Sequence, residues 1–96
     1  MPKTIKPKAN LVLRLYVAGN APNSARAISN AQALCDAHFP SRYELEIVDL
    51  LDHPQQALND GVIVTPTLIR LLPLPTQKVV GTLSDADQLL LVLAGR

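Results

Sequence analysis

The segment Leu11–Ala18, LVLRLYVA, is apolar at every position except Arg14 and Tyr16, and Gly19 and Asn20 close it. A strand that is apolar on both of its faces must be covered on both. This segment therefore calls for an interior strand, and a chain of 96 residues has room for one such core. The next stretch, NAPNSARAISNAQALCDAHF, supplies a covering layer. Asn23 or Ser24 is placed to cap a helix, and Ile28, Ala31, Leu34 or Cys35, and His38 recur at helical steps as one stripe. Pro40 ends that helix.

Tyr43–Asp49, YELEIVD, sets Tyr43, Leu45 and Ile47 against Glu44 and Glu46, which predicts a half-exposed strand. In LLDHPQQALNDG, Asp52 or His53 is a cap, Pro54 takes a first helical position and Gly61 is a stop, so a short helix follows. VIVTPTLIRLLPL is apolar and β-branched, but Pro66 lacks a ladder donor, which places the strand from Thr67 to Leu72. Leu74 and Pro75 turn the chain into a second short strand over 77–81. SDADQLLLVLAGR has Ser84 as N-cap, Asp85 and Asp87 in the first turn and Gly95 at its end, predicting a helix over 84–94. The order β-α-β-α-β-β-α implies one α/β domain over 11–96, with parallel crossovers and a closing antiparallel hairpin. Lys3, Lys6 and Lys8 fall in a segment, 1–10, read as a solvated, disordered tail.

Composition narrows the function. With no Trp, two Tyr, one Phe and a net charge of +1, the chain has neither stacking platforms nor a charge excess for nucleic acid. The run LLLVLA is far too short to span a bilayer, and the N-terminus lacks a cleavable apolar signal, so the expectation is a cytoplasmic protein without a membrane partner. The single Cys35 lies eleven residues beyond Ser24. At 1.5 Å per residue that is ~16 Å from the helix N-terminus, where a thiol would be activated. Cys35 therefore reads as a core residue. Cys35 and His38 give a metal only two ligands, and His53 lies on another segment; zinc needs four, so neither metal nor cofactor is expected. Capping accounts for Ser24 and Ser84 without a hydrolytic role, and no phosphate-binding glycine loop is present.

The second half, DHPQQALNDGVIVTPTLIRL, resembles thioredoxins, in which a short helix leads through a cis-proline to a strand beginning Pro-Thr-Leu. The resemblance makes Pro66 a structural cis-proline. LRLYVAGNAPNSARA, EIVDLLDHPQ, VTPTLIRLLP and GTLSD resemble, in order, the motifs of the circadian clock family KaiB, over about Leu11 to Leu93. The sensor domain of a clock-output histidine kinase shares that frame. The resemblance implies a thioredoxin-like α/β fold with a mixed four-stranded sheet; the alternative is the family's rearranged, tetrameric fold. Val92, where relatives commonly carry a glycine, Leu74 in place of a proline, and Ala94 at the helix end are the expected determinants, and they favour the helical, monomeric state.

For function the resemblance implies a non-catalytic module docking on a KaiC-like ATPase. The partner surface falls on Asn23, Arg26, Asp49, Asp52, His53, Gln55, Asn59 and Asp60. Ordinary solvated helix is the plainer reading of the same residues. Many relatives carry a basic residue at Gly61, and Glu44 and Glu46 replace less acidic positions on the strand that recruits KaiA, which counts against KaiA as a partner. A stress-response adaptor without a clock role is the alternative, and a one-thiol redox protein using Cys35 is a third.

Overall fold

The computed structural model describes residues 10–94, so all of the basic tail except Asn10, and also Gly95, lie outside the described residues. Strand β1 (Leu11–Val17) runs parallel to β2 (Tyr43–Asp49) on one side. On the other it runs antiparallel to β3 (Thr67–Leu72), and β3 pairs antiparallel with β4 (Gln77–Val80), giving the order β2-β1-β3-β4. The described residues also form three helices, α1 (Pro22–His38), α2 (Pro54–Asn59) and α3 (Ala86–Leu93). The double burial of β1 expected from its sequence is realised by alternate residues. Leu11, Leu13, Leu15 and Val17 pack with Ala27, Ala31 and Cys35 of α1 and with Leu89 and Leu93 of α3. On the opposite face Tyr16 packs with Val48, Ile69, Val62 and Ala57 of α2. The result is the thioredoxin-like mixed sheet.

The second crossover differs from expectation, since β3 returns antiparallel to β1. β3 starts at the end of the sheet where β2 stops, Thr67 pairing with Tyr16 where Asp49 pairs with Val17, so the chain runs back along β1 instead of crossing over. The Thr65–Pro66 bond is cis, as are Leu72–Pro73 and Leu74–Pro75.

Four local expectations are corrected. Helix α1 is capped by neither Asn23 nor Ser24: Pro22 takes its first turn, and Ala21 precedes it without a side-chain cap. Proline preorganises that start by fixing φ. The Ser24 hydroxyl instead accepts from the Ala18 N–H at 3.1 Å, closing the turn after β1. Asp85 rather than Ser84 caps α3, its Oδ1 accepting from the Gln88 N–H at 3.1 Å, while the Ser84 and Thr82 hydroxyls lie 2.7 Å apart. His38 drops out of the packed stripe and is exposed; it is the last residue of α1, and Phe39 turns onto the core in its place. On β2, Glu44 is buried and Ile47 is 42% exposed, the reverse of a simple apolar-in pattern. β2 is an edge strand, uncovered on its outer side.

Of the expected fold-state positions, Leu74 is exposed in the β3–β4 turn, Val92 is half-buried in α3, and Ala94 is the C-cap, its N–H bonded to the Leu90 carbonyl at 2.9 Å. Leu15, fully buried in the core beneath α1, measures what that core is worth. Leu15→Ala is expected to destabilise by about 2–5 kcal/mol in urea unfolding, and exposed Leu58→Ala by less than about 0.5 kcal/mol.

Candidate functional site

The end of the sheet where β1 and β2 stop and β3 starts carries most of the nominated residues. Asp49 ends β2, and its Oδ1 accepts from the N–H groups of Gly19 (3.2 Å) and Leu51 (2.9 Å). One carboxylate thus ties the turn after β1 to the turn entering α2. Asp52 and His53 are exposed in that second turn, their N–H groups bonding back to the Asp49 carbonyl. On α2, Gln55 Nε2 donates to Asn59 Oδ1 at 3.1 Å, and both side chains are exposed. Asp60 is the C-cap of α2. Asn23 and Arg26 stand exposed on α1. The fold thus gathers six of the eight nominated residues on the continuous segment 49–60, and two on a different helix.

Asp60 is not free surface. Its Oδ2 accepts from Tyr16 Oη at 2.6 Å and from Arg14 Nη1 at 2.9 Å, while Arg14 Nε donates to Glu46 Oε1 at 2.7 Å. Arg14 and Tyr16, the two polar breaks in the β1 run, point to the α2 side of the sheet and fasten the end of α2 to it. Burial alone would raise the Asp60 pKa. The Tyr16 and Arg14 hydrogen bonds, with the charges of Arg14 and Lys78, outweigh it and hold the carboxyl below its ordinary value of 3.8. Burial, helped by the Asp60 hydrogen bond, pushes Tyr16 up to about 12, and hydrogen bonding to the two carboxylates raises Arg14 despite its burial. The sequence reading missed this network because it took Arg14 and Tyr16 only as interruptions. Two polar residues on the same parity of a buried strand were the available signal.

It also missed the apolar rim. Leu51, Leu58, Ile63 and Val64 are exposed, Ile63 to 91%, while their neighbours Ala57 and Val62 are buried. The Gly61 and Val62 N–H groups bond to the Leu58 and Ala57 carbonyls, folding segment 61–64 against the end of α2. Gly61 has φ +72° and lies beneath Lys78, whose Nζ would meet an added Cβ at 2.7 Å. A basic side chain from β4 therefore occupies the space beside Gly61.

Thiol chemistry finds no support here. The turn after β1 holds Asn20, Ala21, Pro22 and Asn23, and Cys35 is fully buried, with burial and then the Asp36 charge pushing its thiol up to about 12. Among the described residues no three His, Cys, Asp or Glu side chains are grouped to hold a metal ion. No described helix is long and apolar enough to cross a membrane.

A family model described as the KaiB domain matches residues 14–94. The circadian clock oscillator protein KaiB of Nostoc punctiforme is 44% identical over 89 residues, covering 93% of this chain and 86% of that protein. The protein of the same description from Synechococcus elongatus is 40% identical over 89 residues, covering 93% and 87%. Among solved structures, the N-terminal domain of Synechococcus elongatus SasA matches with a TM-score of 0.75 at 25% identity, over 100% of this chain and 92% of that one. The Drosophila melanogaster thioredoxin Deadhead matches with a TM-score of 0.73 at 16% identity, over 92% and 81%, a likeness of fold alone.

Two outcomes are expected. Asp60, with its folded pKa below the unfolded value, stabilises fully above about pH 5, and that contribution fades as pH falls toward its folded pKa. Asp60→Asn should therefore cost about 1–2 kcal/mol at pH 7, and urea midpoints of the two proteins should draw together as the pH is lowered into the acid range. Cys35 should react with a thiol reagent at pH 8 only at the rate of unfolding, and promptly in denaturant.

Proposed function

The chain belongs to the KaiB family, and we propose that it is a non-catalytic clock module that docks on a KaiC-like ring ATPase and biases its activity or phosphorylation state. The observation that carries the proposal is the exposed apolar rim of Leu51, Leu58, Ile63 and Val64 beside α2. Apolar side chains grouped at one end of a small domain and edged by polar groups are characteristic of a protein interface. Asp52, His53, Gln55 and Asn59 supply exposed polar groups around that rim, while Asp49 and Asp60 act from within by holding the α2 segment in shape. Asn23 and Arg26 extend the surface onto α1. A buried, unactivated thiol and the missing cysteine pair favour binding over redox turnover.

Docking shifts a ring's equilibrium only through different affinities for its conformations. A chain already in its docking fold gives up none of its affinity to a prior rearrangement. The same surface would serve a stress-response adaptor. The acidic Glu44 and Glu46 on β2 keep that reading alive, because they weaken the case for KaiA as a third partner.

Calorimetric titration into a KaiC-like ATPase of the same organism is expected to show saturable binding and a changed ATP hydrolysis rate. Leu58→Asp and Ile63→Asp should each weaken binding at least about tenfold, as loss of an interface anchor does. Unchanged urea midpoints would assign that loss to the surface. Stopped-flow association should rise linearly with ATPase concentration. Wild-type protein that fails to bind, or variants that bind normally, would overturn the assignment. Co-elution of KaiA with the complex would remove the adaptor reading.

A further inference from the structure

Arg70 is the largest fully buried side chain of the described fold, 1% exposed, yet it belongs to β3 amid Leu68, Ile69 and Leu71. Its register partner on β1 is Leu13, so it points to the face covered by α1 and α3. No carboxylate pairs with it among the described residues. The guanidinium spends its donors on two backbone carbonyls instead: Nη1 donates to Val92 O in the last turn of α3 at 2.5 Å, and Nη2 donates to Pro75 O in the β3–β4 turn at 2.7 Å. Nε has no partner.

A buried cation that meets only carbonyls needs an electrostatic reason to stay. The C-terminal end of a helix, where carbonyls lack intrahelical donors and the macrodipole is negative, provides one. Helix α3 has no basic residue of its own in its last turn. With eight residues, two of them buried, it is too short to persist without its attachments. Its entry is tied differently, by Asn30 Nδ2 donating to Thr82 O at 2.8 Å and by Leu83, which sits at φ +62°. That left-handed conformation is unfavourable for a side-chain-bearing residue and is released if the segment detaches.

We propose that Arg70 is an internal clamp that makes detachment of α3 and opening of the 73–75 turn a single event, so that a partner or substitution loosening the turn frees the last helix. Arg70 is a positioning residue in this scheme. The turn reaches α3 through a guanidinium fork, which no single-point cation reproduces.

The test is a double-substitution cycle read by amide hydrogen exchange of the full chain. The reporters are the Leu89 and Ala94 N–H groups, bonded to the Asp85 and Leu90 carbonyls, with β1 amides as the global reference. Leu74 is exposed in the turn, so Leu74→Gly loosens the turn without removing core packing. Leu74→Gly is expected to speed exchange of the α3 amides roughly tenfold while β1 amides hold. Arg70→Met should speed them at least as much, and adding Leu74→Gly to it should have no further effect. Arg70→Lys keeps the charge and a folded chain if the methionine variant unfolds, and it should also abolish the response to Leu74→Gly. An equal effect of Leu74→Gly with and without Arg70, no effect in either, or parallel acceleration of the β1 amides in the Leu74→Gly protein would overturn the proposal.

Discussion

The fold rests on a single strand being dry on both sides. β1 gives Leu11, Leu13, Leu15 and Val17 to the core under α1 and α3, and Tyr16 to the smaller cluster under α2. Burial of each such side chain contributes about 1.5–3 kcal/mol, so both helical layers depend on the same seven residues. The two polar residues of that strand serve the second layer. Tyr16 Oη and Arg14 Nη1 converge on Asp60, so the short α2, with Ala57 as its only buried residue, is held by a charge-assisted pair of bonds as well as by packing.

Sequence pattern disclosed what is periodic and local. The strands at 43–49 and 67–72, the one expected over 77–81 that ends at Val80, and the helix started by Pro54 and stopped near Gly61 follow from parity, proline and glycine, each of which acts within a few residues. Cap identity was less legible. Asn23, Ser24, Asp85 and Ser84 are all competent caps, and the choice among them turns on where the preceding turn ends. The direction of β3 was hidden as well. It is set by the end of β1 at which the chain after α2 delivers Thr67, and is not a property of β2 or β3 alone.

The candidate site was legible as a segment and illegible as a set of roles. Residues 49–60 look uniformly polar in sequence, yet Asp49 and Asp60 are spent inside the fold while Asp52, His53, Gln55 and Asn59 face outward. Likewise Val62 and Ile63 are chemically alike and adjacent, but one is buried and the other almost wholly exposed. Only the turn at Gly61, which folds the segment back on α2, separates them. Arg70 escaped notice for a related reason. Nothing local in an apolar strand marks it, and its two acceptors come from positions 5 and 22 residues away.

In the proposed docking, these roles divide the energetics of the surface in a definite way. Exposed charges at a rim steer encounter and are screened at physiological salt, whereas desolvated apolar anchors govern how long a complex lasts. Since the strongest carboxylate interactions of the α2 segment are already satisfied within the chain, they cannot also be the main attraction for a partner. What they contribute is preorganisation: Leu51 follows the turn fixed by Asp49, and Ile63 follows the turn after Asp60, so both apolar groups are presented on backbone tied to β1. Preorganised anchors lose less conformational entropy on binding. In a thioredoxin-like frame whose turn after β1 holds Asn20, Ala21, Pro22 and Asn23, and whose thiol is buried, that presentation is what the scaffold would bring to the proposed docking.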